Sequence, residues 1–432
     1  MHQFTRPAAL SGSLQVPGDK SISHRSLLFS ALASGPTRVH GLSDGHDVAA
    51  TRAALQALGI AIEPIESGWL IRGRPLAEWR AGPLSLDCGN SGTTMRLLLG
   101  VLAAAPGVTA TLMGDPSLSR RPMLRVVEPL RRMGAAIEAN PQGGAPLSVQ
   151  GQHLRGGDHA LKVASAQVKS AILLAGIHAS GATEVSEPAL SRDHTERMLA
   201  AMGVQVERDG LSVRVWPGNL QPLGDFSVPG DPSSAAFGGV AAVLHPCAEL
   251  RLPQVCLNPT RAGWVEVLQR MGGDVRVVSD QQLGGERVAE LVARSSALHA
   301  ADIAAEQVPS LIDELPILAV AASAAEGTSR WQGIEELRVK ESDRWAAIVR
   351  LLTALGVETR SGADWLEIDG LGSPQAWQAL QGPWQPGLDH RMAMSAAVAG
   401  LCGPHPVSVA GFDTVASSWP GFVQQFKVLA QG

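Results

Sequence analysis

The chain has 432 residues, of which 45% are hydrophobic and 17% are charged, and its formal net charge at pH 7 is −5. This length predicts two domains, and an acidic balance without a run of basic residues argues against a nucleic-acid-binding platform. The four cysteines form neither a CxxC pair nor a disulfide framework, and no long apolar run is present, so we expect a cytoplasmic protein without metal, cofactor, nucleic acid or membrane among its partners.

The first candidate site is the sequence PGDKSISHR at residues 17–25, which opens a predicted apolar helix. Backbone N–H groups at a helix start favour anion binding, and Lys20 and Arg25 add positive charge. Only 5 of the 35 basic residues are lysines, so Lys20 and Lys340 stand out as positions that use a compact, titratable amine. The pattern is not a Walker A loop, and an ordinary capped helix start is the structural alternative.

A helix that ends in glycine and is followed by an alternating strand recurs five times. The predicted helices, with their closing glycines, cover residues 51–59, 126–134, 195–203, 264–272 and 345–356. The glycines predict left-handed C-caps, and the alternation predicts half-buried strands. A helix at 422–429 predicts a sixth copy, which indicates three repeats in each of two domains.

A second duplication predicts where the domains divide. The sequence LQVPGD at residues 14–19 recurs as FSVPGD at 226–231, as expected of two parallel chain crossings near 16–18 and 228–230. We therefore predict a continuous domain over residues 18–229. Residues 1–17 and 230–432 then form a discontinuous domain, and chance similarity of two Pro-Gly turns is the alternative.

Three further polar segments of the first half come before predicted helices. CGNSGTTMR at residues 88–96 has glycines that permit close approach to a ligand, SRRPM at 119–123 carries two arginines, and ASAQVKS at 164–170 precedes an apolar run. Packed turns, surface charge and simple capping are their structural alternatives. RDHTE at residues 192–196 predicts a capping box.

The second half contains three more charged segments. PSLIDELP at residues 309–316 places Asp313 in an apolar context, where an acid requires a partner or a shifted pKa. RVKESDR at 338–344 concentrates five ionisable groups, which is also typical of a solvated cluster, and DHRMAMS at 389–395 opens another apolar helix. Arginine at several helix starts indicates binding of anionic substrates, because guanidinium matches carboxylate and phosphate.

In order and spacing, these motifs closely resemble those of the EPSP synthase family of enolpyruvyl transferases, from residue 16 to about 420. The resemblance implies an α/β fold, an inside-out α/β barrel of two domains with three βαββαβ units each. It also implies transfer of the enolpyruvyl group of phosphoenolpyruvate to the 5-hydroxyl of shikimate 3-phosphate, which yields EPSP and phosphate in chorismate biosynthesis. A monomer without cofactor is expected.

The resemblance further implies residue roles. Residues expected around shikimate 3-phosphate are Lys20, Ser21, Arg25, Ser165, Ala166, Gln167, Asp313 and Lys340, with Ser170 as an addition. Residues expected around phosphoenolpyruvate are Lys20, Gly92, Arg121, Gln167, Arg344 and Arg391. Asp313 is expected to take the hydroxyl proton, Glu341 to deliver and later remove the methyl proton, and Lys20 to assist.

The sequence departs from the family pattern in two places. Some members carry a lysine in the final loop, where this chain has ASSWP at residues 416–420, and many carry a tyrosine near the shikimate site, where this chain has Arg192.

Two rival functions remain. The first is a UDP-N-acetylglucosamine enolpyruvyl transferase, but such enzymes usually have a reactive cysteine in a mobile loop, and this chain has no cysteine between residues 89 and 246. The second is a non-catalytic protein that binds phosphorylated metabolites, but such a protein would not need the two proton carriers Asp313 and Glu341.

Overall fold

The structure is a computed structural model that describes residues 1–431. The described chain alternates strands with helices. The strands are β1 His2–Phe4, β2 Leu10–Ser13, β3 Pro36–His40, β4 Ala61–Ile65, β5 Gly68–Arg72, β6 Gly82–Asp87, β7 Val108–Met113, β8 Ala136–Ala139, β9 Leu147–Gln150, β10 Arg155–Ala160, β11 Ser180–Ser186, β12 Val206–Asp209, β13 Ser212–Val215, β14 Asp225–Ser227, β15 Ala248–Cys256, β16 Asp274–Leu283, β17 Glu286–Arg294, β18 Glu326–Gln332, β19 Glu358–Ser361, β20 Trp365–Leu371 and β21 Val407–Val409.

The α-helices fall between these strands, and most begin at a polar residue that caps the first turn. They are α1 Lys20–Leu32, α2 His46–Ala57, α3 Gly92–Ala103, α4 Pro116–Ser119, α5 Leu124–Arg132, α6 Ala166–Gly176, α7 His194–Ala201, α8 Pro232–Leu244, α9 Gly263–Arg270, α10 Leu315–Ser323, α11 Arg344–Ala354, α12 His390–Cys402 and α13 Phe422–Leu429. The helices predicted from the repeat, including the sixth at 422–429, are therefore confirmed.

The chain divides into two compact units. The first unit contains residues 18–228 and the short segment 282–286, and the second contains residues 1–17, 229–281 and the described chain from Arg287 onward. The segment 282–286 is the turn between β16 and β17, which the predicted domain boundaries assign to the other part of the chain. It lies with the first unit because Arg197 donates a hydrogen bond from Nη1 to the carbonyl of Gly285 at 3.1 Å.

The first unit repeats one sheet pattern three times. Its four-stranded sheets have the orders β14-β3-β5-β4, β6-β7-β9-β8 and β10-β11-β13-β12. In each sheet the first pair is parallel and the other two pairs are antiparallel. This repetition follows from the repeated helix, turn and strand in the sequence, because a parallel pair requires a crossover helix whereas an antiparallel pair requires only a turn.

The second unit has the sheet orders β16-β17-β15-β2, β18-β20-β19 and β1-β21. The N-terminal strand β2 pairs in parallel with β15, which ties residues 10–13 to the later part of the chain. Each unit buries helices that are apolar on nearly all sides, and every residue of α8 is buried. Helices of this kind form the core of a unit, as expected when no face is polar.

The closing glycines of the five repeats all have the predicted left-handed backbone. Their φ angles are +90° at Gly59, +101° at Gly134, +86° at Gly203, +89° at Gly272 and +82° at Gly356. A side chain is strained in this region, so glycine ends each helix at low energetic cost. The C-cap prediction is therefore confirmed at all five positions.

Candidate active site

The start of α1 places Lys20 in the first unit. Asp19 caps the helix, because its Oδ1 accepts a hydrogen bond from the backbone N–H of Ile22 at 2.7 Å. Lys20 is the first helical residue and forms an ion pair with Asp47, the second residue of α2. The side chain of Lys20 is 31% exposed, so the ammonium lies at the boundary between protein and solvent. Asp47 lies on the next helix, where no local motif marks it as a partner.

Arg25 lies one turn further along α1 and is buried. Its Nε donates to Thr195 Oγ1 at 2.7 Å and its Nη2 donates to Ser170 Oγ at 2.7 Å. Its Nη1 donates to the carbonyl of Ser21 at 2.9 Å. Burial lowers the pKa of Arg25 to about 10, although the charge of Glu196 opposes this shift. The structure thus joins three residues of the predicted shikimate 3-phosphate set, Ser21, Arg25 and Ser170.

Gly92, Arg121 and Gln167 lie together around Arg96. Gly92 begins α3, and a Cβ added there would lie 2.9 Å from Arg96 Nη1 and 3.2 Å from Arg121 Nη1. Gln167, on the first turn of α6, accepts a hydrogen bond from Arg96 through Oε1 and donates from Nε2 to Thr93 Oγ1 at 2.8 Å. Arg96 belongs to the motif at residues 88–96, but the motif does not indicate its role because its partner lies on another helix.

Ser165 caps α6 and is held by a buried ionic cluster. Its backbone N–H donates to Glu187 Oε1 at 3.2 Å. Lys169 Nζ lies 2.6 Å from Glu187 Oε2 and 2.8 Å from Glu196 Oε1, and all three side chains are at most 3% exposed. A buried lysine between two carboxylates fixes the relative positions of α6, α7 and the chain after β11. The sequence did not reveal this cluster.

The capping box predicted around Asp193 is wrong. Asp193 does precede α7, yet its side chain forms no capping hydrogen bond and instead pairs with Arg197 at 2.9 Å and Arg208 at 2.6 Å. Glu196, the other expected member, pairs with Lys169. Arg197 lies one turn further along α7, whereas the tertiary fold brings Arg208 and Lys169 close. These charged partners replace the local capping interaction, because hydrogen bonds between opposite charges are the stronger ones.

In the second unit, Arg344 joins three acids. It is fully buried at the first position of α11. Its Nη1 donates to Asp313 Oδ1 at 3.1 Å, its Nε donates to Asp389 Oδ2 at 2.8 Å, and its Nη2 lies 2.6 Å from Glu341 Oε2. The two predicted proton carriers, Asp313 and Glu341, are therefore attached to one guanidinium. Asp389 belongs to the motif at residues 389–395, which by itself does not indicate this contact.

The charges of this cluster shift the pKa of two members. Burial by itself lowers the pKa of Arg344, but the charges of Glu341, Asp389 and Asp313 outweigh it, and the pKa lies above its ordinary value. Burial likewise raises the pKa of Asp389, and the charge of Arg344 outweighs it, so that this pKa lies below its ordinary value. Both groups are thus held in their charged forms.

Arg391 belongs to the Arg344 cluster, whereas Lys340 pairs with an acid outside it. Arg391 Nη1 donates to the backbone carbonyl of Asp313 at 3.0 Å, and its Nη2 lies 3.9 Å from Asp313 Oδ2. Lys340 Nζ lies 3.4 Å from Glu336 Oε1, one helical turn earlier in the chain. The structure therefore brings Asp313, Glu341 and Arg391 together with Arg344, and it pairs Lys340 with a residue outside the predicted set.

A second buried ionic cluster lies beside Asp313. Glu314 is 1% exposed and accepts a hydrogen bond from Ser233 Oγ. Arg261 Nη2 lies 3.1 Å from Asp231 Oδ1 and 4.0 Å from Glu314 Oε1. Burial raises the pKa of Glu314, while the charge of Arg261 opposes the shift. This cluster anchors the backbone next to Asp313, and the sequence motif alone did not distinguish the two neighbouring acids.

Residues 1–431 contain neither a candidate membrane-spanning helix nor a candidate metal-binding cluster. No helix in this range is long and apolar enough to cross a bilayer. No group of three or more histidine, cysteine, aspartate or glutamate side chains in the same range has an arrangement that could hold a metal ion.

The fold is that of the enolpyruvyl transferases, and the predicted α/β fold class is confirmed. The crystal structure of the enolpyruvyl transferase NikO from Streptomyces tendae matches with a TM-score of 0.76 at 19% identity, over 99% of this chain and 96% of that one. At this identity the likeness shows the fold alone.

Closer similarities identify the family. The sequence model of EPSP synthase (3-phosphoshikimate 1-carboxyvinyltransferase) matches residues 4–426. The 3-phosphoshikimate 1-carboxyvinyltransferase of Roseiflexus castenholzii is 45% identical over 98% of both chains, and that of Prochlorococcus marinus is 48% identical over 96% of this chain and 94% of its own. EPSP synthase from Acinetobacter baumannii has a TM-score of 0.90 at 40% identity, over 99% of this chain and 98% of its own. The chain belongs to the EPSP synthase family.

Proposed function

We propose that the residue clusters of the two units carry out an enolpyruvyl transfer. The chain is a 3-phosphoshikimate 1-carboxyvinyltransferase of aromatic amino acid biosynthesis: it transfers the enolpyruvyl group of phosphoenolpyruvate to the 5-hydroxyl of shikimate 3-phosphate, with release of phosphate. Family membership decides against the UDP-N-acetylglucosamine alternative. The assignment of residues to the steps of this reaction is our proposal.

For shikimate 3-phosphate, we propose binding by hydroxyl, amide and cationic groups at the starts of α1 and α6. The proposed residues of the first unit are Lys20, Ser21, Arg25, Ser165, Ala166, Gln167 and Ser170. Those of the second unit are Asp313 and Lys340. The hydrogen bonds of Arg25 to Ser21 and Ser170 support this set, because they hold polar groups of two helix starts around one cation.

For phosphoenolpyruvate, we propose binding by cationic and amide groups near helix starts. Lys20 and Gln167 belong to this set as well as to the set for shikimate 3-phosphate. The proposed residues are Lys20, Gly92, Arg121, Gln167, Arg344 and Arg391. Arginine suits the carboxylate and the phosphate of this substrate, since its planar fork donates two parallel hydrogen bonds. Gly92 keeps the space next to the Arg121 guanidinium open, because a Cβ at this position would lie 3.2 Å from Nη1.

The observation that carries the mechanism is the pairing of Asp313 and Glu341 with the Arg344 guanidinium, at 3.1 Å and 2.6 Å. In the addition step, the substrate oxygen bonds to C2 of phosphoenolpyruvate, Asp313 accepts the hydroxyl proton, and Glu341 donates a proton to C3. In the elimination step, the bond from C2 to the phosphate oxygen breaks, Glu341 takes back a methyl proton, and the double bond re-forms. The proton that Asp313 took up passes to the departing phosphate with the assistance of Lys20, so both carboxyl groups return to their starting states. Two carboxylates are needed because the two proton transfers occur at different atoms.

The first test measures phosphate release from phosphoenolpyruvate in the presence of shikimate 3-phosphate. We expect Asp313→Asn and Glu341→Gln each to lower kcat by about a hundredfold or more, the range typical of a lost general acid or base, while shikimate 3-phosphate still binds. Glu358→Gln, which removes an exposed acid of the same unit on β19, is the control. Full rates in both catalytic variants would show that these carboxylates are not the proton carriers.

We further propose that the protein acts as a monomer in the cytoplasm and binds no nucleic acid. The absence of a basic run in a chain with net charge −5 supports the last point. Light scattering after gel filtration tests the monomer, and a mass of about twice 45.1 kDa would contradict it.

A further inference from the structure

Arg96 is a buried arginine to which the reaction described above assigns no role. Its side chain is 8% exposed, and it lies on α3 one turn after Gly92. Among residues 1–431 no carboxylate pairs with Arg96, and its Nε has no hydrogen-bond partner. Burial, together with the charges of Arg121 and Arg125, lowers the pKa of Arg96 to about 10. A buried cation without a counter-ion is costly, which calls for a functional explanation.

The hydrogen bond of Arg96 determines the orientation of the Gln167 amide. Arginine only donates hydrogen bonds, so the atom of Gln167 next to its Nη1 must be the amide oxygen. The amide nitrogen then faces Thr93 and donates to its Oγ1 at 2.8 Å. Both partners lie on α3, whereas Gln167 lies on α6. The amide is therefore fixed at both ends by a neighbouring helix.

This orientation matters for an anionic ligand. An amide can turn either its oxygen or its NH2 group toward a ligand, and an anion attracts the NH2 group and repels the oxygen. With the oxygen held by Arg96, the second hydrogen of Gln167 Nε2 is the group that can be donated to a ligand. Gly92 also fits this arrangement, because a Cβ there would lie 2.9 Å from Arg96 Nη1 and displace the guanidinium.

We propose that Arg96 is a positioning residue that sets the direction of the Gln167 amide and thereby favours the anionic substrate phosphoenolpyruvate. The proposal rests on the assignment of Gln167 to the substrate site under the proposed function. Arg96 acts through Gln167, so the loss of Arg96 matters only while the Gln167 side chain is present.

A double-mutant cycle tests this dependence. We would measure kcat/KM for phosphoenolpyruvate at saturating shikimate 3-phosphate for Arg96→Met, Gln167→Ala and the double variant, and confirm folding by thermal unfolding. Arg96→Met is expected to lower kcat/KM by about tenfold to a hundredfold, as for a lost hydrogen bond to a charged group. In the Gln167→Ala background, the same change is expected to alter kcat/KM by less than about threefold.

Two further variants make the outcome decisive. Arg125→Met removes an exposed cation near Arg96 and is expected to change kcat/KM by less than about threefold, because its charge is screened. Arg96→Lys keeps the charge and loses the planar fork, and it is measured in the same two backgrounds in case Arg96→Met does not fold. Equal losses with and without Gln167 would overturn the positioning role alone. No loss in Gln167→Ala itself would instead overturn the placement of Gln167 in the substrate site, and with it this inference.

Discussion

Two buried arginines, each on the first turns of a helix, lie in opposite electrostatic surroundings. Arg344 in the second unit is fully buried and contacts three carboxylates, those of Asp313, Glu341 and Asp389. Arg96 in the first unit is 8% exposed and contacts the amide of Gln167, and the charges of Arg121 and Arg125 lower its pKa. The same residue type therefore has its charge neutralised in one cluster and left uncompensated in the other.

The difference indicates separate tasks for the two clusters. Around Arg344 the protein supplies its own anions, and under the proposed function the guanidinium holds these carboxylates in place for proton transfer. Around Arg96 the protein supplies no anion within the described residues, and under the same proposal positive potential remains for an anion that arrives with the substrate. Three variants can break or sharpen this comparison, and their expected effects on the free energy of unfolding run from about 3–5 kcal/mol to below about 1 kcal/mol.

The largest effect is expected for Arg344→Met. This change leaves the fully buried Asp389 carboxylate without its cation, and removal of one partner of a buried ion pair costs about 3–5 kcal/mol. Denaturant unfolding measures the loss. The control is Arg360→Met, since the exposed Arg360 pairs with Glu367 at 3.0 Å and Asp369 at 2.5 Å and should cost less than about 1 kcal/mol. Equal free energies of unfolding for the two variants would mean that the Arg344 charge is not needed to stabilise the carboxylates around it.

An intermediate effect is expected for Asp389→Asn, and it should depend on pH. The pKa of Asp389 in the folded protein lies below its unfolded value of about 4. The stability that its charge contributes is therefore fully present above about pH 4 and is lost as the pH falls through the folded pKa. At pH 7 we expect the variant to be less stable by about 2 kcal/mol, the cost of a hydrogen bond to a charged group.

The test is the free energy of unfolding of both proteins between pH 7 and pH 3. The difference between wild type and Asp389→Asn should narrow below about pH 4, because the wild-type carboxylate then gains a proton and loses its attraction to Arg344. A constant difference across this range would show that the Asp389 charge does not stabilise the cluster.

The smallest effect on stability is expected for Arg96→Met. No ion pair is lost, and the gain from removing an uncompensated buried charge offsets the lost hydrogen bond to Gln167, so the free energy of unfolding should change by less than about 1 kcal/mol. Denaturant unfolding next to Arg344→Met checks the contrast. A loss as large as that of Arg344→Met would remove the distinction between the two clusters and show that Arg96 is mainly structural.

The sequence by itself determined the repeated architecture and the starts of the site helices. Helix ends at Gly59 and Gly356, the strand after each of them, and the helix starts at Lys20 and Gly92 depend on residues within one or two turns. Such short-range interactions are visible as local patterns. The resemblance to the family came from the same local motifs, and it pointed to the residues assigned to the reaction.

Only the tertiary structure decided which charged groups meet. Arg96 and Gln167 lie 71 positions apart, and Arg25 and Thr195 lie 170 apart. The capping box expected at Asp193 and Glu196 failed for the same reason, since both acids have partners outside their own helix start. At Asp193 and Glu196 ionic partners replace the local hydrogen bonds, because hydrogen bonds between opposite charges are the stronger ones. That choice depends on the packed fold as a whole, and no single segment of the sequence contains it.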